Sequence, residues 1–520
     1  MMLPVSRRAF LSSLAAGSAG VALPALAGAP ASSLFPPPRP LAVRLAAARP
    51  LEEIVTAARL GGVTALAVCD VQTGAFLEVR KPLRRLPPAS VTKCITTLYA
   101  LDTLGEGYRF PTRLVATGPV AADGRIAGDL VLVGGGDPTL DSDALAEMAR
   151  QLSELGVRGV TGRFLLDAGA LPRLGAIDPG QPPQAGYNPA LSGLNLNFNR
   201  VFFEWRRGKD GYALTLDARA ERFRPEVEIA RMRVVDRQVP VYTYADKGGS
   251  DQWTVARFAL GKGGGRWLPV RKPARYAGEV FRTLAAAHGV ELPAPELLEG
   301  REHAAEILAE AASEGGAAGG AQTRRSLVLH HSEPLRDILR GMLHWSTNLT
   351  AEVAGLASSR HRGVRAEGLA QSAQVMTGWA RESLGLRRAH FVDHSGLGDG
   401  TRIHAADLVA ALVHPQGQAH LAPLLKPYRM RDRGGRPIDS RAMAVRAKTG
   451  TLNFVSALAG YISAPQGRQL AFAILSADLE RRAALSPQER ERPPGGRGWL
   501  VRARRMQHEL IARWASLYGA

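Results

Sequence analysis

Two short stretches rich in apolar residues lie near the start of the chain, at residues 64–72 and 75–80. Short apolar runs bounded by turn residues are typical of strands, and the Thr73-Gly74 pair between the stretches favours a tight turn. From Ser90 the apolar residues recur at helical spacing through Leu104, after which Gly105 provides a stop signal. The pattern therefore predicts a β-hairpin followed by a helix.

The middle of the chain, from about residue 112 to residue 323, mixes strand-like and helical stretches. Short apolar runs predict strands, and longer stretches with one apolar face predict helices. The strand-like runs cover 129–134, 162–168, 201–206 and 212–217, and the helical runs cover 142–155 and 273–288. An Ala/Gly-rich stretch at 311–320 predicts a flexible loop that closes this region.

From Ser326 the pattern returns to a strand, then two helices and later strands. The later strands are predicted near 442–448, 454–462 and 469–475. A charged, Pro/Gly-rich stretch at 481–497 precedes a basic amphipathic helix that begins near Trp499. We expect this helix to dock on the protein's own core, with peripheral contact to an anionic membrane surface as the alternative.

Composition excludes several classes of protein. With 45% hydrophobic and 22% charged residues, the 520-residue chain is neither disordered nor fibrous. A formal charge of +19 invites a nucleic-acid partner, but no basic-aromatic motif supports one, so none is expected. Two cysteines, Cys69 and Cys94, exclude a disulfide-rich scaffold; buried free thiols are expected, with a disulfide as the alternative.

The N-terminus resembles an export signal. Arg7 and Arg8 precede an apolar stretch from Ala9 to Leu26, and the small residues around Ala27 fit a cleavage site, with a transmembrane anchor as the alternative. Residues 1–27 are therefore interpreted as a twin-arginine signal peptide, residues 28–49 as a Pro-rich extended linker, and the protein as periplasmic. Removing residues 1–27, which hold two arginines and no acidic residue, leaves a formal charge of +17.

The first of three short chemical patterns is Ser90-x-x-Lys93. If Ser90 opens the predicted helix, Lys93 lies one turn later on the same face, within reach of the hydroxyl. A serine hydroxyl needs an adjacent base to act as a nucleophile, and a lysine serves as that base only when its pKa is lowered. Alone, the pattern is weak, because surface helices carry such pairs by chance.

The second pattern is Ser346-x-Asn348, between the two helices that follow Ser326. A second hydroxyl can relay a proton, and an amide can hold a substrate backbone. In isolation a helix cap is the better interpretation of this piece.

The third pattern is Lys448-Thr449-Gly450-Thr451, at the edge of a predicted strand. The lysine and hydroxyls can bind a carboxylate, and the glycine allows close approach to the strand. The alternative is a basic strand end before a turn. Lysine is scarce, however, with eight in the chain against 58 arginines, and all three patterns occur in order.

At these motifs the chain resembles the class C low-molecular-mass penicillin-binding proteins, the D-alanyl-D-alanine carboxypeptidases and endopeptidases of serine peptidase family S13. The resemblance covers about residues 50 to 478. Besides the three patterns, it rests on the segments at 87–93, 134–140, 194–199, 345–352, 393–397 and 447–452. The 253-residue span from Lys93 to Ser346 matches the family's large insertions, which simple serine β-lactamases lack.

The resemblance implies an α/β (α+β) fold of the serine β-lactamase/DD-peptidase type, with an antiparallel sheet flanked by helices and mixed α/β insertion domains. It implies a discontinuous catalytic domain of residues 50–113 plus 324–520, and an accessory insertion at 114–323. The implied partners are peptidoglycan stem peptides and cross-links, with β-lactam antibiotics as inhibitors, and no metal or organic cofactor is expected.

Residue by residue, the resemblance implies Ser90 as the acyl-accepting nucleophile and Lys93 as its base. Ser346 would pass a proton to the leaving D-alanine, and Asn348 would position the peptide. The remaining implied contacts are Lys448 and Thr449 for the terminal carboxylate, the backbone N–H groups of Ser90 and Thr451 for the oxyanion, Gly450 for close approach, and Asp178 for a free amine on the third residue of the stem peptide.

The chain departs from the family pattern in three places. His394 stands where the family usually has Gly, residues 427–434 lack a common Gly-Thr-Leu segment, and the loop at 481–497 is unusually charged. Asp393-His394-Ser395 superficially suggests a catalytic triad, but adjacent residues in an extended loop cannot point at one another, so a structural role is expected.

Two other functions remain as alternatives. A β-lactamase would need a positioned deacylation base, and no Glu-x-x-Leu-Asn pattern lies between Asn348 and Lys448. A non-catalytic wall-binding protein on the same fold would tolerate loss of Ser90 or Lys93, yet both are present. The sequence does not separate carboxypeptidase from endopeptidase activity.

Overall fold

A five-stranded antiparallel sheet joins the two ends of the chain. The computed structural model describes residues 40–298, 325–432, 434–438, 443–464, 467–487 and 489–519. In it the strand order of this sheet is β16 (Ala444–Leu452), β17 (Val455–Ser463), β18 (Gln469–Ala477), β1 (Val63–Asp70) and β2 (Phe76–Arg80). Strand β1 (Val63–Asp70) pairs with β2 (Phe76–Arg80) in the predicted hairpin and with β18 (Gln469–Ala477) from the other end of the chain. This sheet and its helices confirm the predicted fold class.

The remaining elements follow in chain order. The other strands are β3 (Pro111–Ala116), β4 (Arg125–Ile126), β5 (Leu130–Gly134), β6 (Gly159–Val160), β7 (Phe164–Asp167), β8 (Arg200–Arg207), β9 (Tyr212–Asp217), β10 (Ala230–Val235), β11 (Tyr242–Lys247), β12 (Ser250–Ala256), β13 (Gly263–Pro269), β14 (Pro295–Leu297), β15 (Arg325–His331), β16 (Ala444–Leu452) and β17 (Val455–Ser463). The α-helices are α1 (Leu41–Ala47), α2 (Leu51–Ala57), α3 (Thr92–Leu104), α4 (Ser142–Glu154), α5 (Pro273–Ala287), α6 (Leu335–Trp345), α7 (Asn348–His361), α8 (Leu369–Leu384), α9 (Ala405–Val413), α10 (Ala422–Leu424), α11 (Leu479–Ala483) and α12 (Gly496–Tyr518).

Both faces of the antiparallel sheet are covered, because successive side chains of a strand point to opposite faces. In β1, Ala65 and Ala67 pack in a cluster with helices α3 and α6–α9. Leu66 and Val68 face the other way and pack in a cluster with the apolar side of α12. The predicted docking of the C-terminal helix on the protein's own core is thus confirmed.

A second, mixed sheet of order β14-β7-β5-β3-β15 occupies the region of the expected insertion at 114–323. Strand β3 straddles the expected start of that region, and β15 lies just after its expected end. Strands β5 and β7 are parallel, whereas β3 pairs antiparallel with both β5 and β15. Helices α4 and α5 pack against this sheet in a separate hydrophobic cluster. Because β3 and β15 are neighbours, the chain enters and leaves the insertion at adjacent points.

The structure differs from the sequence-based expectation at two places. Residues 41–47 form helix α1 inside the predicted linker, since the Ala- and Leu-rich segment after Pro40 favours a helix. The glycine-rich run at 261–265, for which the sequence predicts a hairpin turn rather than a phosphate-binding loop, turns only as far as residue 262. Gly263–Gly265 begin strand β13, where a Cβ at Gly264 or Gly265 would strike an aromatic ring of strand β8.

The remaining expectations concern the signal peptide, the Ala/Gly-rich loop and the two cysteines. The signal peptide at 1–27 and the loop at 311–320 lie outside the described residues. Cys69 and Cys94 are both buried free thiols, as expected. Among the described residues, no helix is long and apolar enough to cross a membrane.

Candidate active site

The candidate nucleophile lies in a tight turn at the start of a buried helix. Residues Ala89–Val91 form a single 3-10 turn, and Ala89 has a left-handed backbone with φ of 47°. Strand β16 passes so close that a Cβ at Gly450 would lie 3.0 Å from the Ser90 nitrogen and would strike the Pro88 carbonyl oxygen. Gly450 therefore lets the turn that carries Ser90 approach strand β16, whereas the approach of a ligand, which the sequence predicted for this glycine, stays a prediction.

Lys93 lies one helical turn after Ser90 and is fully buried. Its Nζ donates to three oxygens, at 3.0 Å to Ser90 Oγ, at 2.7 Å to Asn348 Oδ1 and at 2.9 Å to the carbonyl of Ser395. Three acceptors match the three donors of the ammonium form; in the neutral form two N–H donors remain, and the lone pair can face Ser90 Oγ.

The environment of Lys93 favours its neutral form. Burial, and after it the charge of Lys448, lowers the pKa of Lys93 from its ordinary value to about 7. The carboxylates of Glu352 and Asp393 act in the opposite direction. A lysine with this pKa can take a proton from a serine hydroxyl near neutral pH.

Ser346 and Lys448 form the second half of the site. Ser346 ends helix α6 in a left-handed conformation, with φ of 61°. Lys448 Nζ donates at 2.9 Å to Ser346 Oγ and at 2.9 Å to the carbonyl of Thr449. Burial lowers the pKa of Lys448 to about 8, and the charge of Lys426 acts in the same direction.

Asn348 connects the buried base to the insertion. Its Oδ1 accepts the bond from Lys93, while its Nδ2 donates at 2.9 Å to the carbonyl of Tyr187. The predicted side chain is thus in the site, and its amide orientation is set from both sides. Nothing in the sequence indicated that the backbone near Tyr187 reaches this point.

The candidate residues open onto a cleft of about 740 Å³. Its lining includes Ser90, Ser346, Asn348 and Thr451 from the motifs, together with Asp178 and Tyr187 from the insertion. The side chains of Thr449 and Thr451 are both exposed on β16, the edge strand. An edge strand offers free backbone groups to an extended ligand.

Asp178 lies in the lining of this cleft. Its carboxylate accepts a bond of 2.9 Å from the backbone of Gly180 and one of 2.7 Å from Gln181 Nε2. Its backbone N–H donates at 2.8 Å to Asn188 Oδ1. These bonds fix the carboxylate in the wall of the cleft, and its hydrogen bonds among the described residues are to neighbours in the same segment rather than to the three motifs.

Glu352 is a buried acid that supports the base, and no sequence motif singled it out. Its two carboxylate oxygens accept the backbone N–H groups of His394 and Ser395, each at 2.9 Å. Asp393, in the same loop, accepts from Gly396 at 2.7 Å and from Gly398 at 2.6 Å. The one available signal was the position of Glu352, one helical turn after Asn348.

Burial, and after it the neighbouring Asp393, raises the pKa of Glu352 above its ordinary value. The loop that these two acids hold carries the Ser395 carbonyl that accepts from Lys93. Both acids are therefore positioning residues.

His394 is a packed side chain, as expected. Its ring stacks on Tyr99 at 6.3 Å, and its Nε2 lies 2.8 Å from Ser372 Oγ. Burial lowers the pKa of His394 to about 3, so the ring is neutral near neutral pH. The ring fits because a Cβ at Gly355 would strike it.

In the described part of the chain, no group of three or more His, Cys, Asp or Glu side chains is arranged to hold a metal ion.

Comparison with known proteins agrees with this geometry. The chain is 28% identical over 469 residues to a D-alanyl-D-alanine carboxypeptidase of Actinomadura sp. (strain R39), covering 82% of this chain and 80% of that protein. It is 27% identical over 471 residues to the carboxypeptidase Rv3627c of Mycobacterium tuberculosis, covering 85% of each chain.

The crystal structure of penicillin-binding protein 4 (dacB) from Haemophilus influenzae has the same fold, with a TM-score of 0.67 and 18% identity over 89% of this chain and 99% of that one. The model of the D-Ala-D-Ala carboxypeptidase 3 (S13) family matches residues 47–315 and 316–491. The chain therefore belongs to this family of serine peptide hydrolases.

Proposed function

We propose that the protein is a serine-type D-Ala-D-Ala carboxypeptidase and DD-endopeptidase that acts on peptidoglycan stem peptides through an acyl-enzyme on Ser90. The observation that carries the proposal is the 3.0 Å hydrogen bond from buried Lys93 to Ser90 Oγ. A base with a pKa of about 7 and a nucleophile in contact with it are what acyl transfer by serine requires.

Acylation begins when neutral Lys93 takes the proton of Ser90 and Oγ attacks the carbonyl carbon of the penultimate D-alanine. The developing oxyanion is stabilised by the backbone N–H groups of Ser90 and Thr451. The C–N bond then breaks as Ser346 gives its proton to the leaving nitrogen and takes one from Lys448. This leaves an ester on Ser90, with Lys93 protonated and Lys448 neutral.

Hydrolysis restores the starting state. A water molecule attacks the ester carbonyl and its proton passes through Ser346 to Lys448. The bond to Ser90 Oγ breaks, and Lys93 returns its proton to that oxygen. The pKa values of about 7 for Lys93 and about 8 for Lys448 suit these roles. At a pH between the two values, Lys93 is mostly neutral and Lys448 is mostly charged.

Substrate binding uses the rest of the cleft. Lys448 and Thr449 bind the terminal carboxylate, Gly450 lets the peptide approach β16, and Asn348 positions its backbone. Asp178 binds a free amine on the third residue. Residues 50–113 and 324–520 act as the catalytic domain, and the insertion at 114–323 contributes Asp178 to its wall.

Inhibition by β-lactams and export complete the proposal. A strained β-lactam amide would acylate Ser90 in the same way, and the Haemophilus influenzae penicillin-binding protein 4 structure has also been solved with a β-lactam. We place the protein in the periplasm, exported by the twin-arginine route. Its positive charge would favour contact with the carboxylates of wall polymers.

Labelling with a fluorescent penicillin tests the acyl-enzyme. The mature protein should bind one equivalent of label, and Ser90→Ala should bind none, while a surface control, Ser463→Ala, should label like the original. Equal labelling of Ser90→Ala, or no labelling of the unaltered protein, would refute the proposal. Rapid turnover of nitrocefin without stable label would favour the β-lactamase alternative.

Digestion of purified sacculi separates the two activities. Mass spectrometry of the products should show both released D-alanine and a loss of cross-linked peptides. A protein that is labelled by penicillin but releases neither product would be a wall-binding protein on this fold.

A further inference from the structure

A tryptophan lies exposed beside the reacting groups. Trp345 is the last residue of helix α6, immediately before Ser346, and 77% of its surface is exposed. Lys426 Nζ lies over its ring, 5.1 Å from the centroid. An exposed contact between a cation and an aromatic ring adds little to stability, so stability alone does not explain a tryptophan here.

Lys426 stands at the same end of the site as Lys448. Its carbonyl accepts the backbone N–H of Ala447 at 3.1 Å, so the segment that begins at Lys426 pairs with strand β16 immediately before Lys448. Its charge contributes to lowering the pKa of Lys448. No described carboxylate forms a salt bridge with Lys426. Together with Lys93 and Lys448, it is one of three lysines at this site, out of eight in the chain.

The proposed mechanism fixes which part of a substrate faces this pair. Ser346 protonates the leaving nitrogen and Lys448 binds the carboxylate beside it, so the leaving group lies toward Ser346 and Lys448. When the leaving group is a single D-alanine, it ends there. When the substrate is a cross-link, the leaving group is a second stem peptide, which continues past this point.

We infer that Trp345 and Lys426 form a binding surface for the leaving half of a cross-linked substrate. The indole face would pack on the methylene chain of the residue whose side-chain amine forms the cross-link, and Lys426 would pair with a carboxylate of the second peptide. The inference rests on the proposed function and assigns these two residues to endopeptidase specificity.

The test compares two substrates on the same variants. One is a cross-linked muropeptide dimer, and the other is a pentapeptide that loses one D-alanine; kcat/KM is measured for both. In Trp345→Ala the ratio of the dimer value to the pentapeptide value should fall about five- to tenfold, the usual cost of truncating a contact aromatic. Trp345→Phe should recover part of that ratio.

Lys426→Met should lower the same ratio, because it removes the charge and keeps most of the aliphatic side chain. In the unaltered protein the ratio should decrease as salt is added, since salt screens the pairing of Lys426 with a carboxylate, and in Lys426→Met this salt dependence should be weaker. The matched controls are Phe258→Ala and Lys209→Met, since Phe258 is 58% exposed in the insertion and Lys209 is exposed there. Labelling by penicillin and thermal unfolding check that each variant is folded.

The outcomes separate this inference from the proposed function. A ratio unchanged in Trp345→Ala, or equal losses on both substrates, would overturn the inference and leave the carboxypeptidase intact. Cleavage of the pentapeptide alone by the unaltered protein would also overturn it. An unaltered protein that cleaves neither substrate would instead refute the proposed function.

Discussion

The carboxylate of Glu352 accepts the backbone N–H of Ser395 at 2.9 Å, and the carbonyl of that same residue accepts the bond from Lys93. A buried acid thus holds the peptide unit on which the buried base depends. Neither Glu352 nor Ser395 belongs to the Ser346-x-Asn348 motif, yet the position of the Lys93 side chain depends on both.

Replacing Glu352 with Gln should slow acylation and destabilise the protein. One of the two backbone N–H groups would face an amide N–H instead of an acceptor, and a buried unsatisfied donor costs about 1–3 kcal/mol. We expect a decrease of that size in the free energy of unfolding, measured in urea, and a fall of at least about tenfold in the penicillin acylation rate.

The control is Glu382→Gln, at an exposed position of helix α8, which should change neither quantity. Acylation at the original rate in folded Glu352→Gln would show that the loop keeps its position without the carboxylate.

The extent of this network could not have been predicted from local patterns. The helix beginning at Ser90, the hairpin and the late strands follow from periodicity, because each forms from neighbours in the chain. Ser90 and Lys93 are one helical turn apart, so their contact was predictable too. The bonds that hold Glu352 join positions about 40 residues apart and depend on tertiary packing.

The same reason explains what else the sequence left open. The contact between Asn348 and the Tyr187 carbonyl joins the catalytic motif to the insertion across 161 positions. The helix at 41–47 was not predicted, because the prolines before it led the whole of residues 28–49 to be interpreted as extended. Proline restricts only its own backbone and that of the residue before it, so the segment after Pro40 is free to form a helix.

The rate of penicillin acylation should rise with pH through the titration of Lys93. The base acts in its neutral form, so the rate is low below the pKa of about 7 and reaches a plateau above it. The charge of Lys448 lowers this pKa, so Lys448→Met should raise it and move the midpoint of the profile to higher pH. Stopped-flow labelling from pH 5 to 9 measures both midpoints.

Release of D-alanine should also have an alkaline limb. Lys448 binds the carboxylate in its charged form, and its pKa is about 8, so activity should decline above that pH. Lys272→Met, which alters a lysine of the insertion, should leave both limbs in place. A midpoint that moves to lower pH in Lys448→Met would contradict the assignment of Lys93 as the base.

Gly355 and His394 should behave as a complementary pair. A Cβ at Gly355 would strike the buried imidazole, so Gly355→Ala should destabilise the protein by about 1–3 kcal/mol through overpacking. His394→Gly removes the ring and its contact with Ser372, leaving a cavity. In Gly355→Ala/His394→Gly the new methyl group enters vacated space, so the double variant should lose less than the two single losses combined.

Urea unfolding of the four proteins gives this interaction free energy. The matched control is Gly341→Ala with His394→Gly, since nothing lies within 4 Å of a Cβ at Gly341, and these two changes should add. Additivity in the Gly355 cycle would mean that the histidine occupies its site independently of that glycine.

Asp178→Asn should change the preference for the third residue of the stem peptide. The carboxylate lies in the cleft wall, fixed by Gly180 and Gln181, and its charge suits a free amine. The amide keeps the shape and loses the charge, and a hydrogen bond to a charged group contributes about 1.5–3 kcal/mol. The ratio of kcat/KM for a free-amine peptide over its N-acetylated form should therefore fall at least about tenfold.

Asp210→Asn, at an exposed turn of the same insertion, is the control and should preserve the ratio. If Asp178→Asn also preserves it, the amine is recognised elsewhere in the cleft, and the bonds from Gly180 and Gln181 make this carboxylate a structural support of the wall.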